Sequence, residues 1–282
     1  MKTVIGIDVG GTTTKIVGFN KDEDSITLIE PQFVRATDPV TSAYGAFGKF
    51  TLQNNIALDE IDCVMMTGAG SGTIDKPIYS VKCTSVSEFS CIGNGGLYLS
   101  KLDEAVVVSM GTGTALVYAK RNGKKIETQY LGGTGVGGGT LVGLTRKILG
   151  VDTIEHIEQL CEGGNLDNVD LRIKDISGAG KYNGVSDDLT AANFGKLSDI
   201  ASKHDIALGI ANMVAETVGM IALFAAKNYN VKNIVLTGNL AAVKPIRESL
   251  LALNKSFDVN YLIPENANFA TVIGAALNGL KD

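Results

Sequence analysis

Hydrophobic and polar positions alternate between two regimes along this chain. Short runs of Val, Ile, Thr and Phe predict strands over 3–9, 14–20 and 26–36, with the polar Lys21-Asp22-Glu23-Asp24-Ser25 as the turn before the third. Apolar residues at three- and four-residue steps (Ala43, Phe47, Phe50) then predict a helix over 40–54. A strand over 61–67 ends in Gly68-Ala69-Gly70-Ser71-Gly72; a fifth strand is expected over 78–83 and a helix over 85–102. The pattern then restarts. Strands are expected over 105–109, 115–120 and 125–131, the last two joined by the hairpin signal Asn122-Gly123. Helices over 141–149 and 152–163 lead into a polar, Gly-rich stretch, 165–188, that reads as a surface insertion, followed by the less polar 189–195. The longest helix, 202–228, carries Ile206, Ile210, Met213, Val214, Val218, Ile221 and Phe224 on one face. A strand over 233–240 containing Thr237-Gly238-Asn239, a helix over 243–253, a strand over 257–263 and a helix from 269 close the chain.

The restart is visible in detail. Asp8-Val9-Gly10-Gly11-Thr12-Thr13 and Ser109-Met110-Gly111-Thr112-Gly113-Thr114 are glycine-threonine turns between two strands, about a hundred residues apart. They read as an internal duplication. Such turns aim backbone N–H groups and Thr hydroxyls at one point, as a phosphate requires, and Asp8 at the strand end can hold Mg²⁺ directly or through water. The alternative is a tight Gly-Gly hairpin with a solvated Asp. A third glycine cluster, Gly132-Gly133-Thr134-Gly135-Val136-Gly137-Gly138-Gly139, opens a helix and is expected to turn free N–H donors towards an anion.

Composition narrows the class. The 282 residues fit one large domain or two ordinary ones, divided here as 1–103 and 104–282, with 45% hydrophobic residues to build cores. A net charge of -5 argues against a nucleic-acid backbone binder. No apolar run approaches a bilayer span and no signal peptide is recognised, so no membrane partner is expected. Cys63, Cys83, Cys91 and Cys161 show no zinc spacing and read as reduced thiols, giving a cytoplasmic expectation.

Asp-x-Gly-Gly-Thr, the second Gly-Thr-Gly-Thr turn and the late strand–Thr-Gly-Asn resemble the actin/hexokinase/Hsp70 ATPase superfamily. Within it the chain is most similar to the type II pantothenate kinases. The matching stretches are Asp8-Val9-Gly10-Gly11-Thr12-Thr13-Thr14-Lys15, Ser87-Glu88-Phe89-Ser90-Cys91, Gly111-Thr112-Gly113-Thr114, 132–144, Asn168-Val169-Asp170 with Lys174-Asp175-Ile176, 188–195 and Gly274-Ala275-Ala276-Leu277, in order along nearly the whole chain. The resemblance implies an α/β, duplicated actin-like (ribonuclease H-like) ATPase fold, two lobes around a nucleotide cleft. It implies a homodimer through the long helix, and ATP-dependent phosphorylation of pantothenate, the first step of coenzyme A biosynthesis.

On residues alone, Glu88 is a first-turn helix carboxylate that can serve the dipole or a capping box with Ser85, or act as a base if aimed into a cleft. The resemblance makes it the catalytic base. It implies that ATP and Mg²⁺ meet Asp8, the metal ligand, with Gly10, Gly11, Thr12, Thr13, Thr14 and Lys15 of the first turn. Gly111, Thr112, Gly113 and Thr114 of the second turn, Gly135, Gly137, Gly138, Gly139 and Thr140 of the glycine run, and Gly238 and Asn239 complete the nucleotide site. The acceptor is expected beside Glu88, Thr112, Thr114, Tyr130 and Thr134, with Tyr182 and 188–194 closing over it. In the family the glycine run also carries sensitivity to CoA and acyl-CoA inhibitors. One departure stands out: the family has an arginine just before the glycine run, where this chain has Tyr130. Arg is a fixed cation with a forked donor set and Tyr offers one hydroxyl, so the exchange bears on the acceptor. Arg121 or Lys125 could substitute from the neighbouring hairpin. The rival readings are a kinase for pantetheine, a sugar or another small alcohol, and an ATP-driven activator or switch.

Overall fold

The computed structural model describes residues 2–11, 13–22, 25–35, 38–74, 76–177 and 186–280. Thr12 and Tyr182, named above, lie outside the described residues, as do the tip of the 21–25 turn and residue 36.

The first half runs β1 (Lys2–Val9), β2 (Thr14–Lys21), β3 (Ile26–Val34), α1 (Pro39–Gln53), β4 (Ile61–Thr67), β5 (Cys83–Ser85) and α2 (Glu88–Ser100). The second begins β6 (Glu104–Met110), β7 (Thr114–Asn122), β8 (Lys125–Thr134), α3 (Gly138–Leu149) and α4 (Ile154–Cys161). A small unit of β9 (Leu171–Arg172), α5 (Ile173–Ser177) and β10 (Thr190–Ala192) follows, then α6 (Lys203–Asn228), β11 (Asn233–Thr237), α7 (Lys244–Ala252), β12 (Asn260–Leu262) and α8 (Ala270–Asn278). Among the described residues the strands form two five-stranded sheets, β3-β2-β1-β4-β5 and β8-β7-β6-β11-β12, plus the β9–β10 pair. In each large sheet the first three strands are antiparallel and the last two add in parallel. The duplication read from the turns therefore extends through both sheets.

Period-two alternation along the strands decides what packs where. On β1, Ile5, Ile7 and Val9 turn outward onto α1 (Ala43, Ala46, Phe47, Phe50), while Val4 turns inward onto α8 (Val272, Ile273, Ala276). Asp8 shares the inward face with Val4. On β6, Val106, Val108 and Met110 face α3, α6 and α7, while Ala105 and Val107 face Ile92 and Leu97 of α2. The inner helices are thus exchanged: α2, from the first half, covers the second sheet, and α8, from the chain end, covers the first. They cross in backbone contact, since a Cβ on Gly95 would fall 1.8 Å from the Ala270 carbonyl oxygen and one on Gly274 1.8 Å from that of Cys91. Only glycine fits at these two points.

Four expectations are corrected. Residues 78–83 are not a strand. Tyr79 and Ser80 adopt positive φ (49° and 70°), so the chain turns back and buries Ile78 and Val81, and the strand is Cys83–Ser85. The helix expected from 85 starts at Glu88, because Ser85 still pairs with Met66. The 165–188 stretch is not wholly a surface insertion: Val169 and Asp170 are fully buried, and the Asp170 carboxylate accepts from the Phe194 amide at 2.8 Å and from Asn212 at 3.0 Å. Finally, α6 is long and apolar enough to span a bilayer, although 61% of its apolar window is buried within the fold. It is the core helix of the second lobe.

Candidate active site

A cavity of about 680 Å³ opens between the sheets at the strand ends that carry the two turns. Asp8, Gly10, Gly11, Thr13, Lys15, Glu88, Gly111, Thr112, Gly113, Thr114, Tyr130, Thr134, Gly135, Gly238 and Asn239 line it. These come from both halves and were named from five separate stretches of sequence. The N-termini of α2 and α8 both reach the cavity, through Glu88 and Thr271, so two helix dipoles present their positive ends to it.

The first hairpin is charged. Asp8 and Lys15 are register partners across β1 and β2, and the Lys15 ammonium donates to the Asn268 carbonyl. Burial raises the Asp8 pKa, with Lys15 opposing; burial lowers that of Lys15, with Asp8 opposing. For each group the loss of solvent outweighs the opposite charge of the other. Glu88 is raised as well, by burial first and by the negative charge of Asp8 second. Gly68, at φ 88°, closes the strand next to Asp8; a Cβ there would fall 2.4 Å from Asp8 Oδ1.

The glycine run works differently from the expectation. The amides of Gly138 and Gly139 donate to the carbonyls of Gly111 and Thr112 at 2.9 and 2.8 Å, so these donors are spent on the second turn and are not free for an anion. A Cβ on Gly137 would fall 2.7 Å from the Thr112 carbonyl oxygen. The glycines let α3 dock its N-terminus on the second turn and hold it rigid. Accordingly Gly137, Gly138, Gly139 and Thr140 do not line the cavity, whereas Gly135 does. Thr14 is buried with its hydroxyl paired to Ser42 on α1, and so ties the hairpin to the helix behind it instead of facing the cavity. The Thr114 hydroxyl similarly donates to the Val136 carbonyl at 2.8 Å.

Tyr130 sits where β8 bulges: Leu116 pairs with Gly132 and Val117 with Tyr130, leaving Leu131 unmatched, and Gly132 takes φ 119°. Its ring stacks on Phe89, the residue after Glu88, with centroids 3.9 Å apart and planes 17° from parallel. Neither basic substitute reaches this place. Arg121 is held by Asp103 at 3.0 Å, and Lys125, five residues before Tyr130 on β8, is roughly 17 Å away at strand rise.

Ala69, Ser109, Ala115, Gly133 and Thr271 line the cavity without having been named as site residues. Ala69 was readable: Thr67-Gly68 ends β4 as Thr237-Gly238 ends β11, and both glycines have φ 88°. Thr271 carried no local signal, because it is brought in by the exchange of α8.

A single half-buried carboxylate facing a cavity suits a divalent cation that keeps water and phosphate oxygens as its other ligands, and Asp8 is such a group. Among the described residues no cluster of three or more His, Cys, Asp or Glu forms an all-protein metal cage.

Fold and cleft together define an actin-like ATPase architecture. The activator of 2-hydroxyisocaproyl-CoA dehydratase from Clostridium difficile, solved with bound ADPNP, superposes with a TM-score of 0.65 over 98% of this chain and 93% of its own, at 18% identity. Component A of (R)-2-hydroxyglutaryl-CoA dehydratase from Acidaminococcus fermentans gives 0.67 over 99% and 97%, at 19% identity. At this level of identity the likeness is one of fold. The sequence model of the Fumble family matches residues 105–275. A type II pantothenate kinase of Bacillus cereus is 30% identical over 250 residues, 85% of this chain and 84% of its own. One from Staphylococcus haemolyticus is 26% identical over 286 residues, 96% of this chain and 98% of its own. The chain belongs to the type II pantothenate kinase family.

Proposed function

We propose that this kinase transfers the γ-phosphate of ATP to the primary hydroxyl of pantothenate or a close analogue, giving 4′-phosphopantothenate. The observation that carries the reading is the convergence of Glu88 and the Asp8–Lys15 hairpin on one cavity, with the second turn as its opposite wall. Phosphoryl transfer asks a protein mainly for positioning and charge stabilisation. In this reading the two turns cradle the phosphates, Gly238 and Asn239 lie by the nucleoside, and Lys15 offsets charge on the transferring group. Mg²⁺, held by Asp8, neutralises the phosphates when bound. Glu88 takes the acceptor's hydroxyl proton; its raised pKa favours proton uptake and lies nearer neutral pH than that of a free glutamate. Thr112, Thr114, Tyr130 and Thr134 flank the acceptor. The homodimer through α6 belongs to the same reading, supported by Phe224, 60% exposed on that helix; a monomeric mass in solution would remove it.

The test is ATP turnover with and without acceptor, with the product identified by mass. Turnover that depends on acceptor, with phosphate on the acceptor, is the expected result. Acceptor-independent ATP hydrolysis would instead favour an ATP-driven switch.

A further inference from the structure

The two strand ends that flank the hairpins differ in the use of one hydroxyl. Thr67 ends β4 and pairs with Asp8; Thr237 ends β11 and pairs with Ser109. Both threonines are fully buried. The Thr237 hydroxyl donates to the Val108 carbonyl at 3.0 Å and so serves the sheet. The Thr67 hydroxyl makes no equivalent bond to Ile7 and, among the described residues, has no hydrogen-bond partner. An unbonded buried hydroxyl weakens a fold, and valine would fill the same space without that cost.

Its neighbours point to another use. Thr67 follows Met65 on the inward face of β4 as Asp8 follows Gly6 on that of β1. The two are register partners in parallel strands, so their side chains stand side by side, about 5 Å apart. The Asp8 carboxylate leans over this strand end: a Cβ on Gly68 would fall 2.4 Å from Asp8 Oδ1. Asp8 lines the cavity and Thr67 does not, which puts the hydroxyl on the protein side of the carboxylate. The last torsion of an Asp side chain is soft, so the carboxylate can turn one oxygen to the hydroxyl and keep the other on the cavity.

Resting on the kinase reading above, in which Asp8 holds Mg²⁺, we propose that Thr67 is a positioning residue for Asp8. Its hydroxyl donates to the inner oxygen of the carboxylate and fixes the side chain with the outer oxygen towards the metal. Thr237, its counterpart in the second half, serves the sheet alone.

The experiment titrates Mg²⁺ against ADPNP binding to the full chain and records metal-free thermal melts. It compares the wild type with Thr67→Val, Thr67→Ser, Thr237→Val and Asp8→Asn. Thr67→Val should raise the half-saturating Mg²⁺ concentration about tenfold or more. It should melt no lower than the wild type, since it removes an unbonded hydroxyl at constant shape. Thr67→Ser keeps the hydroxyl and should restore Mg²⁺ binding. Thr237→Val should do the reverse of Thr67→Val, melting roughly 2 °C lower or more at an unchanged Mg²⁺ requirement. A lower melt in Thr67→Val would show a structural hydroxyl and overturn the proposal, as would an unchanged Mg²⁺ requirement or a serine variant as weak as valine. An Asp8→Asn variant with the wild-type Mg²⁺ requirement would overturn the metal reading itself; loss in Asp8→Asn without loss in Thr67→Val would overturn this proposal alone.

Discussion

The two hairpins that face each other across the cavity share one backbone plan and divide the work. Sheet register aligns them: Asp8 pairs with Lys15 where Ser109 pairs with Ala115, and Val9 pairs with Thr14 where Met110 pairs with Thr114. Each is closed from the side by a strand–Thr-Gly turn, Thr67-Gly68 in one half and Thr237-Gly238 in the other, with the same positive φ. The first hairpin keeps a half-buried charged pair and an open turn. In the second, neutral residues stand at both positions, and the N-terminus of α3 covers the turn, donating two amides to it. One half handles charge and the other supplies a rigid wall. The two hairpins share their geometry, and the residues at two positions together with a glycine run set their roles apart.

The largest expected effect lies outside both hairpins, at the group they frame. Glu88→Gln should lower transfer on the order of a thousandfold, within the usual span of a lost general base. The wild-type rate should fall as pH drops through a pKa above the ordinary glutamate value of about 4.3, since burial and Asp8 both raise it, and this acid limb should be absent from the variant's residual activity. The sign for stability runs the same way: a raised pKa means that the folded state holds the proton more tightly, so Glu88 favours folding most at low pH and least above its folded pKa.

Next in size is erasing the difference between the hairpins. Asp8→Ser with Lys15→Ala, which copies the second pair into the first, should cost on the order of a hundredfold or more in transfer and remove the response to Mg²⁺, with both sheets intact by circular dichroism. The reverse change, Ser109→Asp, places a third carboxylate in the cavity. It should raise the Glu88 pKa further and move the acid limb to higher pH, costing about tenfold near that limb. A limb that stays in place would show that Ser109 and Glu88 do not sense each other.

The smallest effects separate the glycines of α3 and its approach. Gly137→Ala should destabilise by about 1 to 3 kcal/mol, because its Cβ meets the Thr112 carbonyl. Gly143→Ala, on the same helix with nothing within 4 Å, should stabilise by about 0.5 to 1 kcal/mol. Thermal melts of the two variants should shift in opposite directions.

Much of this plan was legible in the chain. The strands of β1, β2, β4, β6 and β7 were readable because alternating β-branched runs end in glycine and threonine, and the duplication followed from the turns alone. The cavity-lining residues at strand ends followed too, since a turn between two strands has one place to point. What escaped was set by distant packing. The exchange of α2 and α8 follows from sheet faces that are paired only in three dimensions, and with it went Thr271. The 78–83 segment has strand composition but folds into a left-handed turn that buries two apolar side chains. The glycine run had the composition of an anion site, but its amides meet carbonyls of a turn more than twenty residues earlier. The stack of Phe89 on Tyr130 depends on a bulge that composition does not announce.

The most direct test of the central claim is a single-turnover transfer from γ-labelled ATP, comparing wild type with Glu88→Gln, with nucleotide affinity measured on both and pantothenate and pantetheine offered separately. The account predicts label on the acceptor's primary hydroxyl in the wild type and transfer slowed about a thousandfold in the variant at unchanged ATP affinity. Label released only as inorganic phosphate from both proteins, at similar rates and with either acceptor, would contradict it.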